Sequence, residues 1–172
     1  RIIRFIRFNI MYNSKIDPTI SLAIKLNLNG IKQISKERIL LELFKILDLE
    51  NFTNLCESEY LKELFSLIFP EFDNLKKLER LKKICNHSQI SRDILLAVLL
   101  IDNRDNHEYF AHKYKISTNT KKNLDLIARD LLLLKKNKHF FEKDLKKNIY
   151  LNCKRHLINL NIINFVSNTK CK

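Results

Sequence analysis

Arg1, Arg4 and Arg7 stand three residues apart in the opening octet RIIRFIRF, with Ile2, Ile3, Phe5, Ile6 and Phe8 between them. A guanidinium is planar, permanently charged and carries a fork of N–H donors. It therefore suits phosphate oxygens and base edges. On a helix a step of three leaves neighbours on one side. The octet predicts a helix with an outward guanidinium stripe and an apolar side turned to a core. No cap and no Met precede Arg1, so the expectation is the back part of a longer protein.

A second concentration of charge lies at 135–155. Lys135, Lys136, Lys138, Lys143, Lys146, Lys147, Lys154 and Arg155 face only Glu142 and Asp144, and Phe140, Phe141 and Tyr150 are interleaved. Basic residues with aromatics can grip single-stranded RNA by charge and stacking. A solvated helix face accounts for the same residues equally well. The whole chain carries a formal net charge of +13 and a pI of about 9.7, which favours polyanions, nucleic acid or an anionic membrane. AT-rich coding inflates Lys, Asn and Ile and depletes Arg, so the three arginines weigh more than any single lysine.

Other candidate chemistry falls away on spacing. In HEYFAH, His107 and His112 are five apart. A zinc-binding helix needs them four apart on one face, and a step of five turns the second His about 140° away. Asp102, Asp105 and Glu108 read as a solvated loop that caps the next helix rather than as a metal site. A single Gly excludes a glycine-rich phosphate cradle. No serine, histidine and aspartate fall into a triad. Cys56, Cys85, Cys153 and Cys171 form no CxxC knuckle and read as reduced, mostly buried thiols.

The elements that position these residues are all helical by this reading. One Gly and two Pro in 172 residues leave no turn chemistry for a sheet, and apolar residues recur at helical spacing. The expected fold is an all-α array of helices with no sheet. The first helix runs to about Tyr12. Asp17-Pro18 supplies a cap and a first-turn proline, and the helix after it ends at Asn29-Gly30 with Gly30 in the left-handed position. Ser35 caps KERILLELFKIL, in which Ile39, Leu43 and Ile46 form an apolar row. Leu75, Leu78, Leu81 and Ile84 form another, with Lys76, Lys77, Arg80, Lys82 and Lys83 outside. Ser91 or Asp93 opens the apolar run at 94–101, and Ser117 caps a long helix to about Lys136. No apolar run approaches the roughly 18 residues of a membrane span. No membrane partner and a cytoplasmic location are expected.

RIIRFIRF resembles the EDxxRhLRxxRF motif of the class II tRNA nucleotidyltransferase (CCA-adding) and bacterial poly(A) polymerase family. Arg1 falls on the Arg that closes EDxxR, Arg4 on the next Arg, and Arg7-Phe8 on RF. Ser35, Glu37, Arg38, Ile39, Glu42 and Leu43 fall on the family's following motif. LIFPEFDNL at 67–75 is similar to its short FPE segment, and YKISTNTKKNLDLIA to a stretch of the alphaproteobacterial branch. The likeness is densest at 1–47 and thins beyond about 134.

The resemblance implies neck helices at 1–48 that read nucleotide and bind RNA, a helical body at 49–134 and a basic helical tail at 135–172. It implies CTP and ATP as substrates of the whole enzyme, with Mg2+ held by DxD carboxylates of an N-terminal head that this chain lacks. Partners would be that head and the 3′ end of tRNA or another RNA. Arg1 would read the base and Arg4 would contact the nucleotide or its phosphates. Arg7, Arg38, Lys135, Lys136, Lys143 and Lys147 would bind RNA or brace the neck, and Ser35, Glu37 and Glu42 would be structural. No catalytic residue and no metal ligand are expected in this chain, so alone it should add no nucleotide and should bind RNA with salt sensitivity. The alternatives are the same part of a poly(A) polymerase and a stand-alone helical RNA-binding module.

Overall fold

The structure, a computed structural model, describes residues 1–14, 16–72, 74–84, 90–102, 105–137, 139–152 and 154–168. Its helices are α1 (Ile2–Tyr12), α2 (Pro18–Asn27), α3 (Lys36–Leu47), α4 (Glu59–Ile68), α5 (Lys76–Ile84), α6 (Arg92–Leu100), α7 (Asn106–Tyr114), α8 (Thr118–Lys136), α9 (Leu145–Asn152) and α10 (Lys154–Ser167). Two 3-10 turns, Leu28–Gln33 and Phe52–Glu57, link α2 to α3 and α3 to α4. No strand occurs among the described residues, and the fold is all-α.

Short polar side chains start these helices by accepting amide hydrogens that have no partner in the first turn. Asp17 Oδ1 accepts from Thr19 N at 2.7 Å ahead of Pro18. The hydroxyls of Ser35, Ser58 and Ser117 accept from Arg38 N, Leu61 N and Thr120 N. Ser91 precedes α6 without a side-chain cap.

Gly30 does not take the expected left-handed conformation. Among the described residues positive φ belongs to Asn13, Asp105 and Lys115. Helix α2 instead tightens into the 3-10 turn that contains Gly30. Bonds from residue i to i+3 keep the carbonyls occupied without a chain reversal.

Helix α3 is the joint of the molecule. It packs on α1, α6 and α7, with Ile39, Leu40, Leu43, Ile46 and Leu47 buried. Helix α6 is buried at every residue from Ile94 to Leu100. Around it α10 closes against α5, α6 and α8. One continuous core runs from Ile3 on α1 to Val166 on α10. Its densest part is aromatic: the Phe65 ring lies 5.0 Å from Phe69 and 5.6 Å from Phe72, and Phe110 lies 4.7 Å from Tyr114. Tilted and offset rings at these separations are favourable beyond their buried area.

Two cations of α5 depart from the outward placement that amphipathic spacing predicts. Lys77 Nζ donates to Ile101 O at 3.0 Å, and Arg80 Nη1 donates to Val166 O at 3.1 Å. They satisfy carbonyls at the C-terminal ends of α6 and α10, where positive charge is favoured. Ile84, the fourth member of the predicted apolar row, is exposed. Buried Asp130 ties α8 to α10 by receiving Arg129 Nε at 3.0 Å and pairing with His156 Nε2 at 2.9 Å.

Two outcomes test this packing. Phe65→Ala should cost about 3–5 kcal/mol of unfolding free energy in urea titration, because Phe65 is fully buried among rings. Gly30→Ala should be neutral or stabilise by up to about 1 kcal/mol, since a Cβ there meets nothing within 4 Å. A clear loss of stability would reinstate the left-handed assignment.

Candidate nucleic-acid interface

Helices α1, α2 and α3 and the first 3-10 turn enclose a cleft of about 780 Å³. Arg1 and Arg4 line it from the start of α1, Arg38 and Glu42 from α3, and the buried Ile3 and Ile24 give it an apolar wall. Three arginines from two separate parts of the sequence thus line one concavity, beside apolar surface that can receive a base or sugar. Such a mixture of apolar lining and a few convergent polar groups is typical of small-ligand sites.

Arg7 does not join Arg1 and Arg4. Two steps of three residues rotate a helical side chain by about 120°, and this carries Arg7 toward α3. Its Nη1 donates to Glu42 Oε2 at 3.0 Å, with the two side chains 16% and 17% exposed. Phe8 follows Arg4 by one turn and shares its outward side, although the octet's pattern assigns it to the core. Glu42 Oε1 also accepts from Lys45 Nζ at 2.9 Å. Burial raises the Glu42 carboxyl. The Lys45 hydrogen bond and the charges of Arg7, Lys45 and Arg4 outweigh it and hold the group below its ordinary value of 4.5.

Ser35 caps α3, and Glu37 is exposed in its first turn, where a carboxylate suits the helix dipole. A neighbouring cleft of about 590 Å³ lies across the 3-10 turn and is lined by Lys25, Lys32, Lys36 and Lys113. Periodicity does not reveal this basic group, because Lys113 comes from α7 and joins the others only through tertiary packing. The run of Lys at 25, 32 and 36 around the only glycine is the part that was visible.

The tail residues lie apart from these clefts. Lys135 and Lys136 are exposed at the end of α8, Lys143 in the following turn and Lys147 on α9. Lys135 lines a third cleft of about 390 Å³ with Lys77, Asp102 and Asp105. Of the interleaved aromatics, Phe140 is buried in the core and Phe141 packs edge-on against it at 5.2 Å. Only Tyr150 is open, at 90% exposure. Lys138, Cys85, Cys153 and Cys171 lie outside the described residues. Burial pushes the Cys56 thiol up to about 11, so at neutral pH it is not a nucleophile.

His107 is buried and His112 exposed on α7. Asp102 receives Asn106 Nδ2 at 2.8 Å, while Asp105 precedes α7 without a side-chain cap. Among the described residues no three His, Cys, Asp or Glu gather to hold a metal ion. Among them no helix is long and apolar enough to cross a membrane.

Residues 14–76 match the family model described as the probable RNA and SrmB-binding site of polymerase A. This segment is similar to an RNA-binding region of a polymerase. It contains α2, α3 and α4 and most of the residues that line the two neighbouring clefts, including Arg38 and Glu42. The match supports the poly(A) polymerase and CCA-adding family in the broad sense, with RNA as a partner. No curated protein and no solved structure matches the chain.

The Arg7–Glu42 pair sets a pH dependence. The folded-state pKa of Glu42 is depressed, so the unfolded chain binds the proton more readily and stability rises with pH. Its contribution is present above the ordinary value of 4.5 and is lost as pH falls through the folded value. Glu42→Gln should cost about 1–2 kcal/mol at pH 7, and the gap to the parent chain should close as pH falls below the ordinary value of 4.5 and through the lowered folded value. Urea titrations at neutral pH and below the folded value check this; a gap of equal size at both would show that the charge contributes nothing.

Proposed function

We propose that this chain is the RNA-binding and nucleotide-selecting part of a template-independent polymerase that extends RNA 3′ ends. The observation that carries the reading is the cleft that collects Arg1, Arg4 and Arg38 against α2 and α3, at the edge of a segment similar to an RNA-binding region of polymerase A.

The residues suggest a division of roles. Glu42 has both oxygens engaged by Arg7 and Lys45, so it braces α1 on α3 and leaves base reading to the arginines. Arg1 and Arg4 offer donor forks at the cleft's α1 side, where one base edge is matched and another left unpaired. A good bidentate contact of this kind discriminates by about 1–3 kcal/mol. Arg38, with Lys135, Lys136, Lys143 and Lys147 outside the cleft, supplies phosphate contacts. These strengthen RNA binding without reading sequence. The described residues do not gather into a magnesium site. In this proposal Mg2+ belongs to carboxylates of a separate head and supplies the charge neutralisation of phosphoryl transfer. This chain positions nucleotide and RNA and does no chemistry alone.

In the first reading the whole enzyme adds CTP- and ATP-derived nucleotides to the 3′ end of tRNA. The second reading is polyadenylation, favoured by the matched model's description, which names polymerase A. The cleft would then take ATP alone.

The test is fluorescence anisotropy with a labelled single-stranded RNA and equilibrium binding of CTP and ATP to the 172-residue chain. The parent chain should bind RNA with an affinity that falls steeply with salt. Arg4→Ala should weaken nucleotide binding about tenfold, and Arg38→Ala should reduce the salt slope for RNA by about one contact. RNA binding that is insensitive to salt would sink the reading. Equal binding of CTP and ATP favours tRNA 3′-end addition, and ATP alone favours polyadenylation.

A further inference from the structure

Helix α1 continues outward from the cleft as an exposed aromatic surface. Phe8 is 41% and Tyr12 66% exposed. Their rings are parallel to within 16°, with centroids 6.3 Å apart. Two guanidiniums flank the first ring: Arg7 Cζ lies 5.2 Å and Arg4 Cζ 6.0 Å from the Phe8 centroid. The fully buried Phe52, Phe65, Phe69, Phe72 and Phe110 show where this fold puts rings needed for stability. Phe8 and Tyr12 are kept out of that core by their position on the helix, one and two turns beyond Arg4. Arg4 belongs to both surfaces, since it lines the cleft and approaches Phe8.

We infer that the Arg4–Phe8–Tyr12 stripe of α1 is a stacking platform for bases of single-stranded RNA, contiguous with the nucleotide cleft. The inference rests on the function proposed above and adds a site to it. Every base has a π face, so stacking on exposed rings is sequence-tolerant. The exposed Arg4 guanidinium beside the Phe8 ring adds cation–π attraction and a contact to phosphate. A protein partner would have to bring a carboxylate to Arg4 as well as apolar side chains to the rings, whereas single-stranded RNA supplies phosphates and π faces in every nucleotide. A duplex fits poorly too, since its bases are already stacked on each other. The expected ligand is therefore an unpaired 3′ tail of a few nucleotides, laid along α1 with its end toward Arg1 and Arg4.

The test uses the 172-residue chain and a single-stranded RNA oligonucleotide that carries 2-aminopurine near its 3′ end. The parent chain should quench the probe on binding. Phe8→Leu/Tyr12→Leu should abolish the quenching and weaken single-strand affinity at least tenfold, with the salt slope and the affinity for duplex RNA unchanged. Tyr12→Phe keeps the ring and should bind as the parent does. Both changes are at exposed positions, and unchanged circular dichroism and melting temperature verify the fold. If the double variant binds and quenches like the parent, or loses duplex affinity equally, the platform is refuted, while salt-dependent RNA binding and the Arg38→Ala effect still uphold the function. If the parent chain binds no RNA, both inferences fall together.

Discussion

The carboxylate of Glu42 fixes the wall on which the candidate site depends. Helix α1 carries Ile3, Ile6 and Ile10 into the core, with Ile2 and Phe5 packed partly buried beside them. The bond from Arg7 to Glu42 adds an oriented contact at the edge of this face, because a guanidinium fork has a preferred plane and its partner is held on α3. Placing a charge pair at this depth costs desolvation, and an isolated pair can be neutral in net stability. Here a second donor, Lys45, and the field of Arg4 shift the balance toward the charged form. With α1 seated in this way, Arg1 and Arg4 face the cleft, and Phe8 with Tyr12 faces solvent.

That local arrangement is supported from below. Helix α3 can serve as a joint because its opposite side is locked into the core through Leu43, Ile46 and Leu47. Its lateral position is also set by Arg92, which pairs with Asp48 and lies 4.5 Å from the Phe44 ring. Beneath it, the apolar run Ile94–Leu100 of α6 can be buried on all sides only if its terminal carbonyls find donors. Lys77 supplies one at Ile101. The same device, with Arg80, closes the end of α10. Cations of α5 therefore do structural work that net charge alone would assign to RNA.

Much of this was legible in the sequence wherever the cause is local. Asp17-Pro18, Ser35 and Ser117 act as caps because a cap needs only its own next three residues. The row Ile39, Leu43 and Ile46 is buried because helical spacing decides which side it shares. Legibility fails where a residue's place depends on a distant partner or on accumulated rotation. Arg7 and Phe8 belong to a clear pattern, yet two steps of three residues turn Arg7 from the outer stripe to Glu42. Phe140 sits among lysines, but the core reaches it through folding of the tail. Lys77 and Arg80 look solvated until the ends of α6 and α10 come beside them. Gly30 shows the opposite error, since a permissive residue need not use its freedom when a 3-10 turn can end the helix.

The positive charge of the chain consequently divides into three kinds. Some cations are engaged by internal groups, Arg7 by the Glu42 carboxylate, Lys113 by that of buried Glu71 and Arg80 by the Val166 carbonyl. Some stand exposed on helix and turn surfaces, as Lys136, Lys143 and Lys147 do. These act over a Debye length of roughly 8–10 Å at ordinary salt and cannot distinguish one RNA from another. Arg1, Arg4 and Arg38 form the third kind, exposed side chains gathered along a concavity with apolar walls. This kind combines charge with an apolar surface, the mixture from which a small-ligand site is made. A net charge of +13 explains attraction to a polyanion, but the geometry at α1 and α3 is what could recognise a particular part of one.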